Sequence, residues 1–457
     1  MLRMTIIATC LVLAAALFAH PASGQTVLLQ GARAIPGDGS PAVENAAILV
    51  ERGVIARIGR KGEIAAPAGA TTIDLDGKTV MPAIVSTHVH PGFQRGLSYT
   101  AENFTRETIV DDLNRALYFG VAVVMSQGIE KGDVMYRIRA DQAAGRLGGA
   151  RLRLAGRGIG APNAGPGAAA FANIAYEITT EDEARRAAQE LAANHVDAIK
   201  IWVDDRGGRA PKLSIPLSRA VIDEGHRLGL KVTAHIFYHD DAVALAAAGI
   251  NSFAHLVRDR EMSDALIALM IKNHVYVMPN LGAPERGGYM ATPEWFEEPN
   301  LAGMLRDTEP PELIERMRRS FSARDAATAA RSRRNYAILQ SSVAKLAAAG
   351  AGIILGCDTG LEDHVFGYSE QRELELMAEA GMTPAQVIVA ATSRAAEFLG
   401  LSDTGTLEPG KRADLLVLDA NPLDDIRNTR HIAAMYLAGA PVDRAALKAT
   451  LLANTRN

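Results

Sequence analysis

The sequence has little cysteine, and its charges are nearly balanced. Its 457 residues include only 2 cysteines, Cys10 and Cys357, which excludes a disulfide scaffold and a thiolate-rich zinc or iron–sulfur site. The 48 basic and 52 acidic residues give a formal net charge of −4 without any basic block, so we expect no nucleic-acid partner. With 48% hydrophobic and 22% charged residues, the composition is that of a globular chain rather than a disordered one.

Long apolar runs are also scarce, and the main one lies at the start of the chain. Arg3 precedes an apolar stretch from Thr5 to Phe18, and the small residues Ala22-Ser-Gly follow before Gln25. The stretch is shorter than the roughly 20 residues that a membrane-spanning helix needs. We therefore predict a cleaved signal peptide over residues 1–24 and an exported protein, periplasmic or secreted, without a stable membrane anchor.

Both flanks of the remaining chain are typical of β structure. Residues 26–80 contain short strand-like runs separated by turn residues, and residues 401–446 return to the same pattern. Two such flanks around a different middle predict a small β-sandwich domain assembled from both chain ends.

The middle of the chain, residues 81–400, alternates apolar strand-like runs with helical patterns. Eight such runs predict an α/β fold with a (β/α)8 TIM barrel, and an open doubly wound sheet is the alternative. The long connections Gly156–Tyr176 and Leu281–Arg334 are either lids over the site or surface excursions. The eight runs are Ala83–Val89, Val121–Ser126, Arg151–Ala155, Ala198–Val203, Lys231–Ile236, Ile250–His255, Val275–Pro279 and Gly352–Cys357.

Histidines and one aspartate end several of these runs. His88 and His90 lie two positions apart at the end of the first run, so a strand points both imidazoles to one face. His235 and His255 end the fifth and sixth runs, and Asp358 follows the eighth. Because the carboxyl ends of barrel strands form one rim, we expect these five side chains to meet in a metal site.

Lys200 is flanked by isoleucines in the fourth run. Burial of an unpaired ammonium is costly and lowers the pKa of a lysine. A neutral amine can react with carbon dioxide to form a carbamate, an anionic ligand able to bridge two metal ions. The alternative is a lysine that reaches solvent or pairs with Asp204 or Asp205. Beside four histidines and an aspartate, we favour the ligand.

These segments resemble those of the amidohydrolase superfamily, in particular its imidazolonepropionase-like and carboxypeptidase branch. The similarity extends over essentially the whole chain after the signal peptide. The matching segments are Val80-Met-Pro-Ala-Ile-Val-Ser-Thr-His-Val-His, Ala198-Ile-Lys-Ile, Val232-Thr-Ala-His, Phe253-Ala-His, Met382-Thr-Pro-Ala-Gln-Val-Ile, Ala390-Ala-Thr-Ser-Arg-Ala-Ala-Glu and Gly405-Thr-Leu-Glu-Pro-Gly-Lys-Arg-Ala-Asp-Leu-Leu-Val-Leu.

The resemblance implies two divalent metal ions, with zinc as the expected metal. It places His88, His90 and Asp358 on the more buried ion and His235 and His255 on the other. Carboxylated Lys200, made with carbon dioxide, and a shared hydroxide would bridge the two. It further implies that Asp358 takes a proton as general base and returns it to the leaving nitrogen as general acid.

The chain departs from the family pattern beside two of these segments. Ala83 and Ser86 replace a common Gly and Asp before His88, and neither position is a ligand. After His235, the tyrosine of dipeptide-cleaving relatives is displaced by one position, which weakens the dipeptidase interpretation. The candidate substrate contacts, each with ordinary packing or ion pairing as its alternative, are Tyr238, His239, Arg258, His364 and Tyr368.

The sequence thus predicts a hydrolase for the carbon–nitrogen bond of a small amino-acid-like molecule, such as an N-acyl amino acid or a dipeptide. A cyclic amide or imide hydrolase and a mononuclear deaminase are the enzymatic alternatives. A catalytically inactive secreted binding protein is the alternative from another class. A small-molecule substrate is the expected partner, and the sequence allows a homo-oligomer.

Overall fold

The structure, a computed structural model, describes residues 26–455, so the predicted signal peptide lies outside the described residues. Its strands are β1 Val27–Ala34, β2 Val43–Glu51, β3 Val54–Arg60, β4 Thr71–Asp74, β5 Thr79–Pro82, β6 Ile84–Val89, β7 Gln94–Arg95, β8 Ser98–Tyr99, β9 Val121–Ser126, β10 Arg151–Leu154, β11 Ile159–Gly160, β12 Tyr176–Glu177, β13 Ala198–Val203, β14 Lys231–Ile236, β15 Ser252–Ala254, β16 Tyr276–Met278, β17 Leu415–Leu418, β18 Ile432–Leu437 and β19 Ala440–Pro441. Its α-helices are α1 Arg106–Tyr118, α2 Val134–Ala143, α3 Glu181–Ala193, α4 Ile215–Arg227, α5 His239–Ala247, α6 Asp264–Lys272, α7 Gly282–Glu285, α8 Leu301–Leu305, α9 Pro311–Ser320, α10 Ala326–Ala348, α11 Tyr368–Glu379, α12 Pro384–Ala391, α13 Ser393–Phe398 and α14 Arg444–Asn454.

Strands from both flanks of the chain share one sheet. Its order is β19-β18-β17-β5-β1-β2-β3, with β4 beside β1. The two flanks meet in the antiparallel pairing of β17 with β5, in which Leu415 lies opposite Pro82 and Leu418 opposite Thr79, and also in a bridge between Val54 and Arg412. Apolar side chains such as Val27, Ile48 and Leu415 form a common buried core, which accounts for the association of distant segments.

The middle of the chain is built from parallel strands and helices. Seven of the eight predicted runs contain a strand. Together with the short strands β11 and β12, these strands pair in the orders β10-β9-β6 and β12-β11-β13-β14-β15-β16. The eighth run contains no regular strand, but bridges pair Ile353 with Val277 of β16 and Thr359 with Val89 of β6, both parallel. The predicted α/β class is confirmed, and the alternation of strand and helix fits a TIM barrel.

Local sequence signals set the helices between these strands. Thr180 accepts from the Glu183 N–H while the Glu183 side chain accepts from the Thr180 N–H, a capping box that begins α3. Ser214 and Ser263 cap α4 and α6 in the same way, by accepting from a backbone N–H three residues on. The helical patterns between runs three and seven correspond to α3–α6, with ends that differ by two residues at most. The predicted ranges are Glu181–His195, Leu217–Leu228, Asp240–Ala248 and Met262–Asn273.

The two long connections are folded segments. Residues 281–334 contain α7, α8 and α9, whose buried Leu305, Leu313 and Phe321 form a cluster of their own with Tyr368 at the start of α11. In residues 156–176, Phe171 packs edge-on against Phe93, with ring centroids 4.6 Å apart, and also contacts His90. The 156–176 connection therefore lies directly against the predicted metal ligand His90. None of the helices within residues 26–455 is both long and apolar enough to cross a membrane.

Candidate metal centre

Three histidines surround the carboxylate of Asp358 at one end of the parallel strands. The Asp358 Oδ1 atom lies 2.9 Å from Nε2 of His90 and 3.2 Å from Nε2 of His88. Its Oδ2 atom lies 3.7 Å from Nε2 of His255. The potential ligand atoms of His88, His255 and Asp358 all lie within 4.8 Å of one another, and all three residues are buried. These side chains therefore form one compact donor cluster.

The ends of consecutive strands give this cluster its shape. His88 and His90 lie on or just after β6, and the Asp358 backbone N–H donates to the His88 carbonyl at 3.0 Å. His255 and Asp358 both have left-handed backbones, with φ of 71° and 59°. Such a conformation is uncommon for a non-glycine residue, and here it turns the chain immediately after a strand or an extended segment. The structure thus brings His88, His90, His255 and Asp358 together just where parallel segments end.

Lys200 projects from β13 toward the same cluster. It is 1% exposed, and its Nζ lies 3.4 Å from Nε2 of His88. Burial lowers the pKa of this amine to about 7. Among residues 26–455 no ion pair joins Nζ to a carboxylate, so the predicted alternative of a pairing with Asp204 or Asp205 does not describe this side chain. A buried amine with a pKa near neutrality is the form that reacts with carbon dioxide.

His235 lies on the other side of His255 and meets a second acidic residue. The ring centroids of His235 and His255 are 4.4 Å apart. Nε2 of His235 lies 3.1 Å from Oδ2 of Asp204 and 3.2 Å from Nη2 of Arg258. The cluster thus extends beyond His255 to the side chains of His235, Asp204 and Arg258.

Burial sets the charge of these groups. It lowers the pKa of His235 to about 4 and the pKa values of His88 and His255 well below their usual range, so these imidazoles are neutral at pH 7. Burial by itself would raise the pKa of Asp358, but the imidazoles of His88, His255 and His90 hold it well below its ordinary value. Neutral imidazoles beside an ionised carboxylate are the protonation states that metal ligation requires.

The donor set fits divalent metal ions. Imidazole nitrogens and carboxylate oxygens are ligands that zinc prefers. His255 Nε2 and His90 Nδ1 are buried without a hydrogen-bond partner. A buried polar atom left without a partner is costly, and a cation would satisfy the Nε2 lone pair of His255. His88, His90, His235, His255, Lys200 and Asp358 are therefore the residues that would hold the metal.

Three of the five predicted substrate contacts lie in different surroundings: one at the cluster, one near the rim and one in the core of the 281–334 segment. Arg258 lies at the cluster, and its Nη2 is also 3.9 Å from Oδ2 of Asp204. His364 is buried near the rim and its Nε2 bonds to the Cys357 carbonyl at 3.0 Å. Tyr368 is buried in the core of the 281–334 segment.

The remaining two predicted contacts are engaged elsewhere. Tyr238 donates its hydroxyl to Asp205 at 2.8 Å. His239 begins α5, and its Nε2 lies 2.9 Å from the hydroxyl of Ser263. Both side chains are therefore held by partners outside the cluster.

Sequence reasoning did not single out Asn280, and it considered Asp204 only as a partner for Lys200. Asn280 follows β16, and its Nδ2 lies 2.8 Å from Nδ1 of His88 and 3.1 Å from Nδ1 of His255. Asp204 follows β13 directly and meets His235. Both are polar residues immediately beyond a strand-like run, so a survey of every run end would have found them.

Gly128 determines how closely Lys200 can pack. A Cβ at residue 128 would lie 2.9 Å from Cβ of Lys200, and the backbone has φ of 87°. We expect Gly128→Ala to displace Lys200 and to lower the zinc content of the purified protein, in addition to a strain of about 1–2 kcal/mol. Gly132→Ala is the matched control, because φ there is 67° and an added Cβ meets nothing within 4 Å. Equal zinc content in both variants, measured beside their melting temperatures, would contradict the packing argument.

The fold and the donor set together define an α/β protein with a candidate metal centre at the carboxyl ends of its parallel strands. Residues 79–442 match the amidohydrolase family, and the chain belongs to that family. The resemblance inferred from the sequence is confirmed at this level.

Individual relatives are distant. The chain is 27% identical to an uncharacterized protein of Mycobacterium tuberculosis over 220 residues, 47% of this chain and only 53% of that protein, about half its length. It is 26% identical to imidazolonepropionase of Deinococcus radiodurans over 414 residues, 87% of this chain and 92% of the relative. It is 25% identical to the 5-methylthioadenosine/S-adenosylhomocysteine deaminase of Symbiobacterium thermophilum over 421 residues, 87% and 86% of the two chains.

A solved structure supports the fold over nearly the whole chain. A presumed prolidase from Bifidobacterium longum superposes with a TM-score of 0.73 at 27% identity, covering 95% of this chain and 99% of that one. The similarity extends over both the flanking sheet and the parallel strands.

Proposed function

We propose that this protein is a metal-dependent hydrolase of a carbon–nitrogen bond in a small amino-acid-like substrate, such as an N-acyl amino acid or a dipeptide. The observation that supports it is the buried cluster of His88, His90, His255 and Asp358, with Lys200 at 3.4 Å from His88. Membership of the amidohydrolase family and the similarity to a presumed prolidase support a hydrolase over a binding protein.

Bound divalent ions would supply an acidified water, with a pKa lowered to about 7, and polarisation of the substrate carbonyl. Residues of the protein itself would transfer the proton. Asp358, ionised beside three imidazoles, would take the proton from the attacking water and return it to the departing nitrogen. Lys200 as a carbamate would add a second anionic ligand. Burial of the whole cluster strengthens each of these electrostatic contributions.

Arg258 is the group we propose for the substrate carboxylate. It is next to His235, and its Nη2 donates to the Ile236 carbonyl at 3.1 Å, while its Nε is buried without a hydrogen-bond partner and could donate to a carboxylate. Asp204, at 3.9 Å, is too distant to occupy the guanidinium fully. This contact would favour amides that have a free carboxylate over neutral amides.

Several finer features belong to the same proposal. Residues 1–24 would direct export to the periplasm or the medium. Zinc would be the metal, and Lys200 would be carboxylated. The parallel strands would close into a barrel of eight through the segment 352–359, with the flanking sheet folded as a β-sandwich domain of residues 26–80 and 401–446.

The deamination of a ring is the competing enzymatic function, favoured by the full-length similarity to a deaminase. The number of bound metal ions distinguishes the two, because a bridging carbamate serves a two-metal site and a deaminase of this kind would hold one ion.

The first experiment is metal analysis of the protein purified without chelator, followed by chelation and zinc return in bicarbonate. We expect about two zinc ions per chain, and hydrolysis of N-acyl amino acids or dipeptides that is lost on chelation and restored by zinc. About one ion per chain, with turnover of amino-purine or cyclic-imide substrates instead, would replace the proposal by the deaminase or cyclic-amide alternative. No bound metal after zinc and bicarbonate, and no turnover, would identify an inactive binding protein.

A further inference from the structure

Asn280 touches one histidine from each half of the metal centre. It is 1% exposed and lies just beyond β16, with a left-handed backbone at φ of 52°. A single amide atom lies 2.8 Å from Nδ1 of His88 and 3.1 Å from Nδ1 of His255. These two rings come from different strands and have their centroids 5.4 Å apart. One side chain thus contacts the inner nitrogens of two candidate ligands.

The chemistry of the contact depends on which end of the amide faces the rings. If the NH2 group faces them, it donates to both Nδ1 atoms, and each neutral imidazole must then have its proton on Nε2. If the carbonyl oxygen faces them, its two lone pairs accept from both Nδ1–H groups, and each Nε2 has a free lone pair. The other end of the amide is buried without a partner where Oδ1 now lies, so it does not decide between the two.

The positions of the Nε2 atoms decide which end of the Asn280 amide faces the two rings. Nε2 of His88 and Nε2 of His255 both face Asp358, at 3.2 and 3.7 Å, on the side where a cation would be held. A nitrogen that has a proton cannot bind a metal ion. Histidines that do bind a metal almost always donate their other N–H to an acceptor, which fixes the tautomer and the ring orientation.

We propose that the carbonyl oxygen of Asn280 accepts from both Nδ1–H groups, and that Asn280 is a positioning residue which sets the ligating tautomer of His88 and His255 together. The proposal rests on the metal-dependent function proposed above. It has a specific consequence. Because the two histidines are assigned to different metal ions, loss of this one acceptor lowers the affinity for both ions rather than for one.

Two substitutions separate the acceptor role from simple packing. Asn280→Asp keeps the size and an acceptor oxygen, and aspartate also adopts left-handed backbone readily. Asn280→Gly removes the amide without backbone strain, because glycine adopts φ near 52° freely. Asn45→Gly is the matched control, since Asn45 is exposed in the flanking sheet with φ of 51°.

The measurement is zinc affinity of the chelator-stripped protein, determined by competition with a chromogenic chelator. We expect Asn280→Gly to lower the affinity for both zinc ions about 10- to 100-fold, as the loss of a hydrogen-bond partner of a metal ligand typically does. Asn280→Asp is expected to stay within about threefold of the parent, and Asn45→Gly to match it. An unchanged affinity in Asn280→Gly, or an equal loss in Asn280→Gly and Asn280→Asp, would overturn the proposal.

A second measurement does not depend on any variant that has to fold. In the zinc-loaded parent with 15N-labelled histidine, the ring nitrogen shifts should show the proton on Nδ1 of His88 and His255. Protons on Nε2 of either ring would overturn the assignment. Both measurements read metal binding and not turnover. A parent that binds two zinc ions but hydrolyses no amide would therefore refute the proposed function and leave this inference standing.

Discussion

Asp358→Asn is expected to reduce hydrolysis by about 10³-fold or more, because it removes a general base that typically contributes 10²–10⁴-fold, together with an anionic ligand. The carboxylate lies 2.9 Å from His90 and 3.2 Å from His88, and the neutral amide that replaces it has nearly the same shape. The loss should appear in kcat rather than in KM, since the proposed role of Asp358 is to act on the reacting atoms and not to bind the substrate. The zinc content should fall in the same variant.

Glu362→Gln is the control for Asp358→Asn. It also neutralises one carboxylate, only four residues along the same rim segment, but Glu362 is exposed. We expect its kcat and zinc content to match those of the parent. If Asp358→Asn retained more than about a tenth of the parental kcat on the best substrate, Asp358 could not be the proton-transfer group.

Lys200→Met is expected to lower the zinc content from about two ions to about one and to reduce kcat by about 10²-fold or more, the scale of losing one preorganised electrostatic group. Methionine is unbranched and similar in length, so it fills the space beside Gly128 without a nitrogen that can form a carbamate. In the parent, 13C-labelled bicarbonate should give a carbamate signal, and Lys200→Met should lack it.

Lys231→Met tests whether any half-buried lysine would behave in this way. Lys231 is the first residue of β14, at the opposite end of the strand from His235, and its amine donates to the backbone carbonyls of Glu397 and Phe398 at the end of α13. We expect it to keep two zinc ions and the carbamate signal. A Lys200→Met protein that retains both zinc ions and full turnover would show that Lys200 is an ordinary lysine.

The prediction of the fold succeeded where local sequence patterns decide the structure. Helices α3, α4 and α6 begin at capping residues, and α3–α6 follow the predicted apolar periodicity, so their limits were predicted within two residues. The eighth run was predicted as a strand, yet it forms only isolated bridges to β6 and β16. At Gly356 in this segment, an added Cβ would meet Met278 and His88 within 3.0 Å, a close approach that no local pattern reveals.

The sequence by itself determined the class of the fold and the convergence of His88, His90, Lys200 and Asp358, because each residue lies in or at the end of an apolar run and parallel runs end on one rim. Only the tertiary structure decided which other side chains face these groups. In the tertiary structure Tyr238 bonds to Asp205 and His239 to Ser263, both away from the cluster. Asp204 contacts His235, and Asn280 contacts His88, which lies 192 residues away in sequence. Such contacts depend on how far each strand is displaced along its neighbours and on where each backbone turns after its strand, and both are set by packing across the whole molecule rather than by residues near in sequence.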